Sequence, residues 1–247
     1  MERIPVVILC GGKGLRLREY TDLLPKALVP VGKMPIILHV MKIYAQQGFN
    51  KFILCLGYKG DMVKNYFTKS EDVRDFEITF ADTGLETNTG GRIKKIEKYI
   101  DNDNFFATYC DGVADIDLHT LYNHHKKANK IATLTAVHPI SPFGMIEIED
   151  GLVRSFKEKP TLPSLINGGF FVFNQKIFNY LAENSVLEDE PLKKLALDEQ
   201  LAAFSHDGFW ACMDTYKDVE RLNGIWETGY MPLGYLHFKK APWKIWE

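Results

Sequence analysis

The sequence predicts an α/β protein built on a doubly wound, mostly parallel sheet. Three observations carry this. An apolar run at residues 6–10 stops on Gly11 and Gly12, the mark of a strand buried on both faces. Strand-like and helix-like stretches then alternate as far as residue 137, which implies right-handed parallel crossovers. From Pro139 onward the pattern shortens around an Asp150-Gly151 turn, so a β-hairpin subregion joins the sheet.

The first loop is the most informative stretch. It runs Gly11-Gly12-Lys13-Gly14-Leu15-Arg16, and it carries Lys13, Arg16, Arg18, Lys26 and Lys33 against Glu19 and Asp22. Glycines let backbone N–H groups close on an anion, and the cations add charge-assisted hydrogen bonds. The loop therefore predicts a phosphate site. It is not a Walker A loop, because Met34 follows Gly32-Lys33. Nor is it a dinucleotide fingerprint, because Arg16 stands where the third glycine belongs.

The remaining elements follow in order. Pro35 opens a helix with Ile36, Ile37, Val40, Met41 and Tyr44 on one face, and Gly48 ends it. Residues 52–56 form the second buried strand, 62–67 a helix and 76–80 a third strand. The loop 82–92 should reach the same edge as Gly11, and residues 93–100 continue as a helix. Its Thr87, Thr89 and Gly91 can serve a ligand at the helix start or simply cap it. Residues 105–109 are strand four and deliver Cys110-Asp111-Gly112 to that edge. Residues 118–128 are helical, with His119, His124 and His125 read as surface or half-buried rather than as metal ligands.

Residues 131–137 are a fifth strand. Residues 145–148 and 152–156 form the hairpin, and 166–173 another strand. Gly144, Glu158, Lys159, Asn167 and Gly168 mark the corners of a second half-site. Residues 176–181 and 192–201 read as amphipathic helices. Residues 208–214 form a short strand ending in Asp214. Thr215 caps a closing helix to residue 226. The aromatic tail, with Tyr230, Tyr235, Phe238, Trp243 and Trp246, predicts a homo-oligomer contact. One domain is expected over 1–229, with a first half at 1–137 and a second half at 138–229, followed by the tail 230–247.

Bulk properties exclude several classes. The 247 residues are 46% hydrophobic and 25% charged with net charge −2, which gives no global basis for nucleic-acid or membrane binding. No signal peptide or membrane span is read, and Cys10, Cys55, Cys110 and Cys212 show no metal spacing. Buried free thiols in the cytoplasm are the expectation.

Together these motifs resemble the glucose-1-phosphate cytidylyltransferases, within the sugar-1-phosphate nucleotidyltransferases. The carriers are Leu9-Cys-Gly-Gly-Lys-Gly-Leu-Arg-Leu17, Pro25-Lys26, Thr89-Gly-Gly-Arg92, Asp111-Gly-Val-Ala-Asp115, Phe156-Lys-Glu-Lys-Pro160, Asn167-Gly-Gly-Phe-Phe-Val172, Gly208-Phe-Trp210, Met213-Asp-Thr215 and Ala241-Pro-Trp-Lys244. The resemblance implies a Rossmann-like mixed sheet of the nucleotidyltransferase type. It implies that CTP and a sugar 1-phosphate give a CDP-sugar and pyrophosphate, feeding surface polysaccharide or deoxysugar synthesis. By the same resemblance, Leu9, Gly11, Gly12, Gly14, Leu15, Arg16, Lys26, Thr87, Thr89, Gly91, Arg92 and Cys110 would meet the nucleotide. Gly144, Glu158, Lys159, Asn167 and Gly168 would meet the sugar phosphate. Asp111 and Asp214 would hold Mg²⁺, and Arg16, Lys26, Asp111, Lys159 and Asp214 would form the catalytic set. Leu15 departs from the family's usual threonine, the stretch 67–78 is short, and 230–239 reads as an insertion.

Two other readings remain open. Asp115-Ile-Asp117 is a D-x-D, as in A-type glycosyltransferases. A cytidylyl- or uridylyltransferase acting on a different phospho-substrate fits the same motifs.

Overall fold

The computed structural model describes residues 3–229 and 240–246. Strand β1 (Val6–Leu9) is wholly buried. Val6 and Ile8 enter one hydrophobic layer, and Val7 and Leu9 enter the opposite one. With both faces covered, the strand needs no polar alternation, hence the unbroken apolar run. After the loop come a single-turn helix α1 (Arg18–Thr21), a 3₁₀ turn at Lys26–Leu28, and the paired β2 (Pro30–Val31) and β3 (Met34–Pro35). Helix α2 (Ile36–Ala45) begins directly after Pro35. Then follow β4 (Lys51–Leu56), α3 (Gly60–Lys69), β5 (Glu77–Asp82), α4 (Thr89–Lys95) and β6 (Asn104–Tyr109).

Next are a short strand β7 (Gly112–Ala114), α5 (Leu118–Ala128), β8 (Ala132–Val137), the hairpin β9 (Met145–Glu149) and β10 (Leu152–Lys157), and β11 (Ile166–Asn174). The hairpin turn places Asp150 at φ +51° and Gly151 at φ +77°. Both central residues are left-handed, as a D-G hairpin turn requires. The chain closes with α6 (Glu190–Leu197), β12 (Leu201–His206), β13 (Trp210–Cys212) and α7 (Tyr216–Thr228).

The main sheet has the order β12-β8-β11-β6-β1-β4-β5. Every pairing is parallel except those of β11, which runs antiparallel to β6 and β8. From β1 the chain moves outward to β4 and β5, then returns to β6 on the other side of β1. That reversal opens a crevice beyond the carboxyl ends of β1 and β6, where ligands of doubly wound sheets bind. Helices α2, α3, α5 and α7 cover one face; α4 and α6 cover the other.

Several elements differ from the sequence expectations. The helix expected over 93–100 starts at Thr89 and ends at Lys95, with a 3₁₀ turn at Glu97–Tyr99. The segment 176–181 is a 3₁₀ turn, Gln175–Tyr180. The helix expected over 192–201 stops at Leu197; Glu199 takes φ +55°, and Leu201 opens β12 instead. Leu201-Ala-Ala-Phe-Ser-His has no clear period of its own, so its pairing with β8 decides the matter.

The tail is also partly reassigned. Trp243 is fully buried against the chain's own core: its indole N–H donates to His39 Nδ1 at 3.2 Å and its ring stacks on Phe209 at 5.4 Å. Its apolar surface is thus covered within one chain rather than by a second copy. Tyr230, Tyr235 and Phe238 lie outside the described residues. Among the described residues no helix is long and apolar enough to cross a membrane.

Candidate active site

The phosphate loop leaves β1 at the crevice. Gly11 has to be glycine, because a Cβ there would stand 2.2 Å from Arg92 Nη1. At Gly12 the same atom would meet nothing within 4 Å, so the loop is open on that side. Gly14 turns the loop back at φ +62°, a conformation that strains L side chains. Its carbonyl accepts from Leu17 N–H at 2.9 Å and from the Thr21 hydroxyl at 3.3 Å. Leu15 projects outward with 63% of its surface exposed, whereas Leu9 and Cys110 are buried. The last two can present backbone alone to a ligand.

Two carboxylates and two cations meet beside this loop. Lys26 Nζ lies 2.5 Å from Asp111 Oδ2 and 2.6 Å from Asp214 Oδ1. Arg16 Nη2 reaches the same Asp214 oxygen at 3.1 Å. What joins the aspartates is a ladder the sequence did not announce. β7 begins just after Asp111 and β13 ends two residues before Asp214, and the two strands pair antiparallel with Cys212 opposite Gly112. Met213 N–H also donates to Asp111 O at 3.0 Å. Burial works against the Lys26 charge, but Asp111 and Asp214 more than offset it, so its pKa rises and it stays protonated. Two carboxylates converging on one cation from separate strand ends fit a hard divalent ion, with phosphate oxygens and water filling its other positions.

On the nucleotide side, Arg92 is 4% exposed. Its Nη1 donates to Leu56 O at 3.0 Å, Thr83 Oγ1 at 2.6 Å and Gly84 O at 2.9 Å. Its Nη2 donates to Gly11 O at 3.0 Å and Leu85 O at 3.4 Å. One guanidinium therefore ties the phosphate loop, the end of β4 and the loop after β5 together. Thr87 turns inward, donating to Thr83 O at 2.6 Å. Thr89 donates to Glu188 Oε2 at 2.7 Å. Gly91 N–H donates to Ser185 O at 3.0 Å, so the start of α4 is sealed by the chain itself.

The second half-site sits past the end of β8 and at the start of the antiparallel β11. Segments 139–141 and 160–162 are zipped by Ser141 N–H to Pro160 O at 2.9 Å and Leu162 N–H to Pro139 O at 2.8 Å. They carry Gly144, Glu158 and Lys159 outward; Lys159 Nζ lies 3.6 Å from Glu158 Oε1, both partly exposed. Asn167 Oδ1 accepts from Gly169 N–H at 2.9 Å, and Gly168 O accepts from the Trp210 indole at 2.8 Å.

The D-x-D aspartates serve separate purposes. Asp117 caps α5 by accepting from Thr120 N–H at 2.9 Å, and Asp115 Oδ1 pairs with His206 Nε2 at 3.1 Å. Sequence reading missed Tyr109, Glu188 and Lys59. Lys59 holds the far end of the phosphate loop through Thr21 O at 3.1 Å and Asp22 O at 2.7 Å. The sequence marks it only by its place in Gly57-Tyr58-Lys59-Gly60, where the backbone takes a left-handed φ of +50°.

A family profile described as "Nucleotidyl transferase" matches residues 5–228. The chain belongs to the nucleotidyl transferase family. This nucleotidyltransferase is 41% identical to a Bacillus subtilis (strain 168) protein named "Probable glucose-1-phosphate cytidylyltransferase", over 97% of this chain and 99% of that one. It is 42% identical to the "Glucose-1-phosphate cytidylyltransferase" of Salmonella typhi, over 98% and 99% of the two chains. In fold it is similar to the crystal structure of HddC from Yersinia pseudotuberculosis, with TM-score 0.72 and 24% identity over 89% of this chain and 98% of that one. The family removes the glycosyltransferase reading.

Proposed function

We propose that this nucleotidyltransferase moves a cytidylyl group from CTP to a sugar 1-phosphate, above all α-D-glucose 1-phosphate, giving a CDP-sugar and pyrophosphate. The single observation that carries the reading is the cluster of Lys26, Asp111, Asp214 and Arg16 beside the glycine loop, at the reversal point of the sheet. The names of the relatives at 41% and 42% identity support the choice of base and sugar.

An oxygen of the sugar phosphate attacks the α-phosphorus of CTP in line, and the bond to the β-phosphate breaks. The chain's part is positioning and charge neutralisation, without a covalent intermediate. Backbone N–H groups of Gly11, Gly12 and Gly14 with Arg16 hold the triphosphate. Lys26 stabilises negative charge at the transferring group. Arg92 orders the loop against which the base lies. Lys159 neutralises the sugar phosphate, and Glu158 and Asn167 receive sugar hydroxyls. Mg²⁺ held by Asp111 and Asp214 would supply Lewis-acid neutralisation of the phosphate oxygens. The product would serve surface polysaccharide or deoxysugar assembly.

The test is a matrix of four nucleoside triphosphates against several sugar 1-phosphates, with pyrophosphate release as readout. CTP with glucose 1-phosphate is expected to lead. Faster release from another pair would replace the substrate assignment.

A further inference from the structure

Glu188 lies beside the start of α4 and the end of β6. Its Oε2 accepts from the Thr89 hydroxyl at 2.7 Å, and its Oε1 accepts from the Tyr109 phenol. Thr89 Oγ1 in turn accepts from Leu187 N–H at 2.9 Å, which aims its proton at Glu188. The segment bearing Glu188 is seated firmly. Asn88 Nδ2 donates to Asn184 O at 3.2 Å, and a Cβ at Gly91 would stand 2.1 Å from Glu183 O. Tyr109 ends β6, two residues before Asp111, and its ring lies against Gly169, where a Cβ would stand 2.5 Å from Tyr109 Cδ2.

Glu188 is thus an exposed carboxylate, held in one orientation by two neutral hydroxyls and free of ion pairs among the described residues. An ionised carboxylate is an acceptor only, and two of its roughly four lone-pair sites are taken. Without a cation beside it, it repels phosphate. The substrate part it can face is neutral and rich in hydroxyls. Asn167, whose Oδ1 holds the Gly169 N–H beside the Tyr109 ring, puts that part on the acceptor side.

We propose that Glu188, oriented by Tyr109 and Thr89, accepts a hydrogen bond from a hydroxyl of the acceptor sugar and so helps decide which sugar 1-phosphate is used. The inference rests on the reaction proposed above. Its test compares the wild type, Glu188→Gln and Tyr109→Phe on glucose 1-phosphate and on analogues each lacking one ring hydroxyl, with CTP and 2′-deoxy-CTP as donors. Glu188→Gln should raise KM for glucose 1-phosphate about tenfold or more, as loss of a charge-assisted hydrogen bond does, and leave KM for CTP unchanged. The penalty for one deoxy analogue should then shrink towards the variant's own loss. Tyr109→Phe should give the same pattern more weakly.

An unchanged sugar KM, an equal loss on every analogue, or a change confined to 2′-deoxy-CTP would each overturn the inference while leaving the reaction intact. No pyrophosphate from the wild type with any sugar 1-phosphate would overturn both.

Discussion

At the residue scale, the site depends on few side chains acting together. Lys26 touches both aspartates, with 13% of its side chain exposed. Lys26→Ala should lower kcat/KM about 100-fold or more, by removing a preorganised cation and leaving Asp111 and Asp214 to repel each other. Steady-state kinetics with pyrophosphate readout checks this; a rate within a few-fold of wild type would remove Lys26 from the catalytic set. Arg92 was expected at the nucleotide because Thr89-Gly-Gly-Arg92 resembles the cytidylyltransferase motif. The fold engages both terminal nitrogens with oxygens of three separate segments. Arg92→Lys keeps the charge but not the planar fork. It should lower turnover with CTP and UTP by the same factor; a change in their ratio would return Arg92 to base reading.

At the element scale, the closing helix α7 is the clearest agreement between local chemistry and structure. Thr215 accepts from Asp218 N–H while the Asp218 side chain accepts from Thr215 N–H, a capping box, and Gly229 ends the helix at φ +66°. Since Asp214 precedes this cap directly, the box also anchors the second carboxylate. Thr215→Ala should cost about 1 kcal/mol of stability, read as a lower urea midpoint at unchanged slope. Gly11→Ala is expected to be far worse. Its methyl would displace the Arg92 guanidinium, so both nucleotide binding and stability should fall, as measured by CTP titration and thermal melting.

At the scale of the whole molecule, buried histidines make stability depend on acidity. His39 is fully buried between Val31 O at 2.9 Å and the Trp243 indole. Burial lowers its pKa from 6.5 to about 4. Burial does the same to His125, which hydrogen-bonds Thr133 and Asn104. Both are neutral when folded and bind protons more readily when unfolded. Their contribution, about 3 kcal/mol each, is complete above the ordinary histidine range and lost as pH falls through it towards about 4. The urea midpoint should therefore drop between about pH 7 and pH 5, and His125→Gln should reduce the drop. A flat profile would contradict it. His206 works in the opposite sense. Burial lowers it, but Asp115 and Phe209 O raise it overall, so its contribution fades as pH climbs above the ordinary value.

The sequence by itself determined the local half of this protein. The apolar run of β1, the glycine loop, the Asp150-Gly151 turn and the Thr215 cap are each legible because their chemistry lies within a few neighbouring residues. The strand alternation determined the sheet class for the same reason. What only the tertiary structure decided are the contacts between segments far apart in the chain. The β7–β13 ladder brings Asp111 to Asp214, and Glu188 to Thr89 and Tyr109 is a meeting of three separate segments. Leu201–His206 becomes a strand only because β8 offers it an unpaired edge. No periodicity within a segment records such partners; their hydrogen bonds exist only once the sheet has assembled.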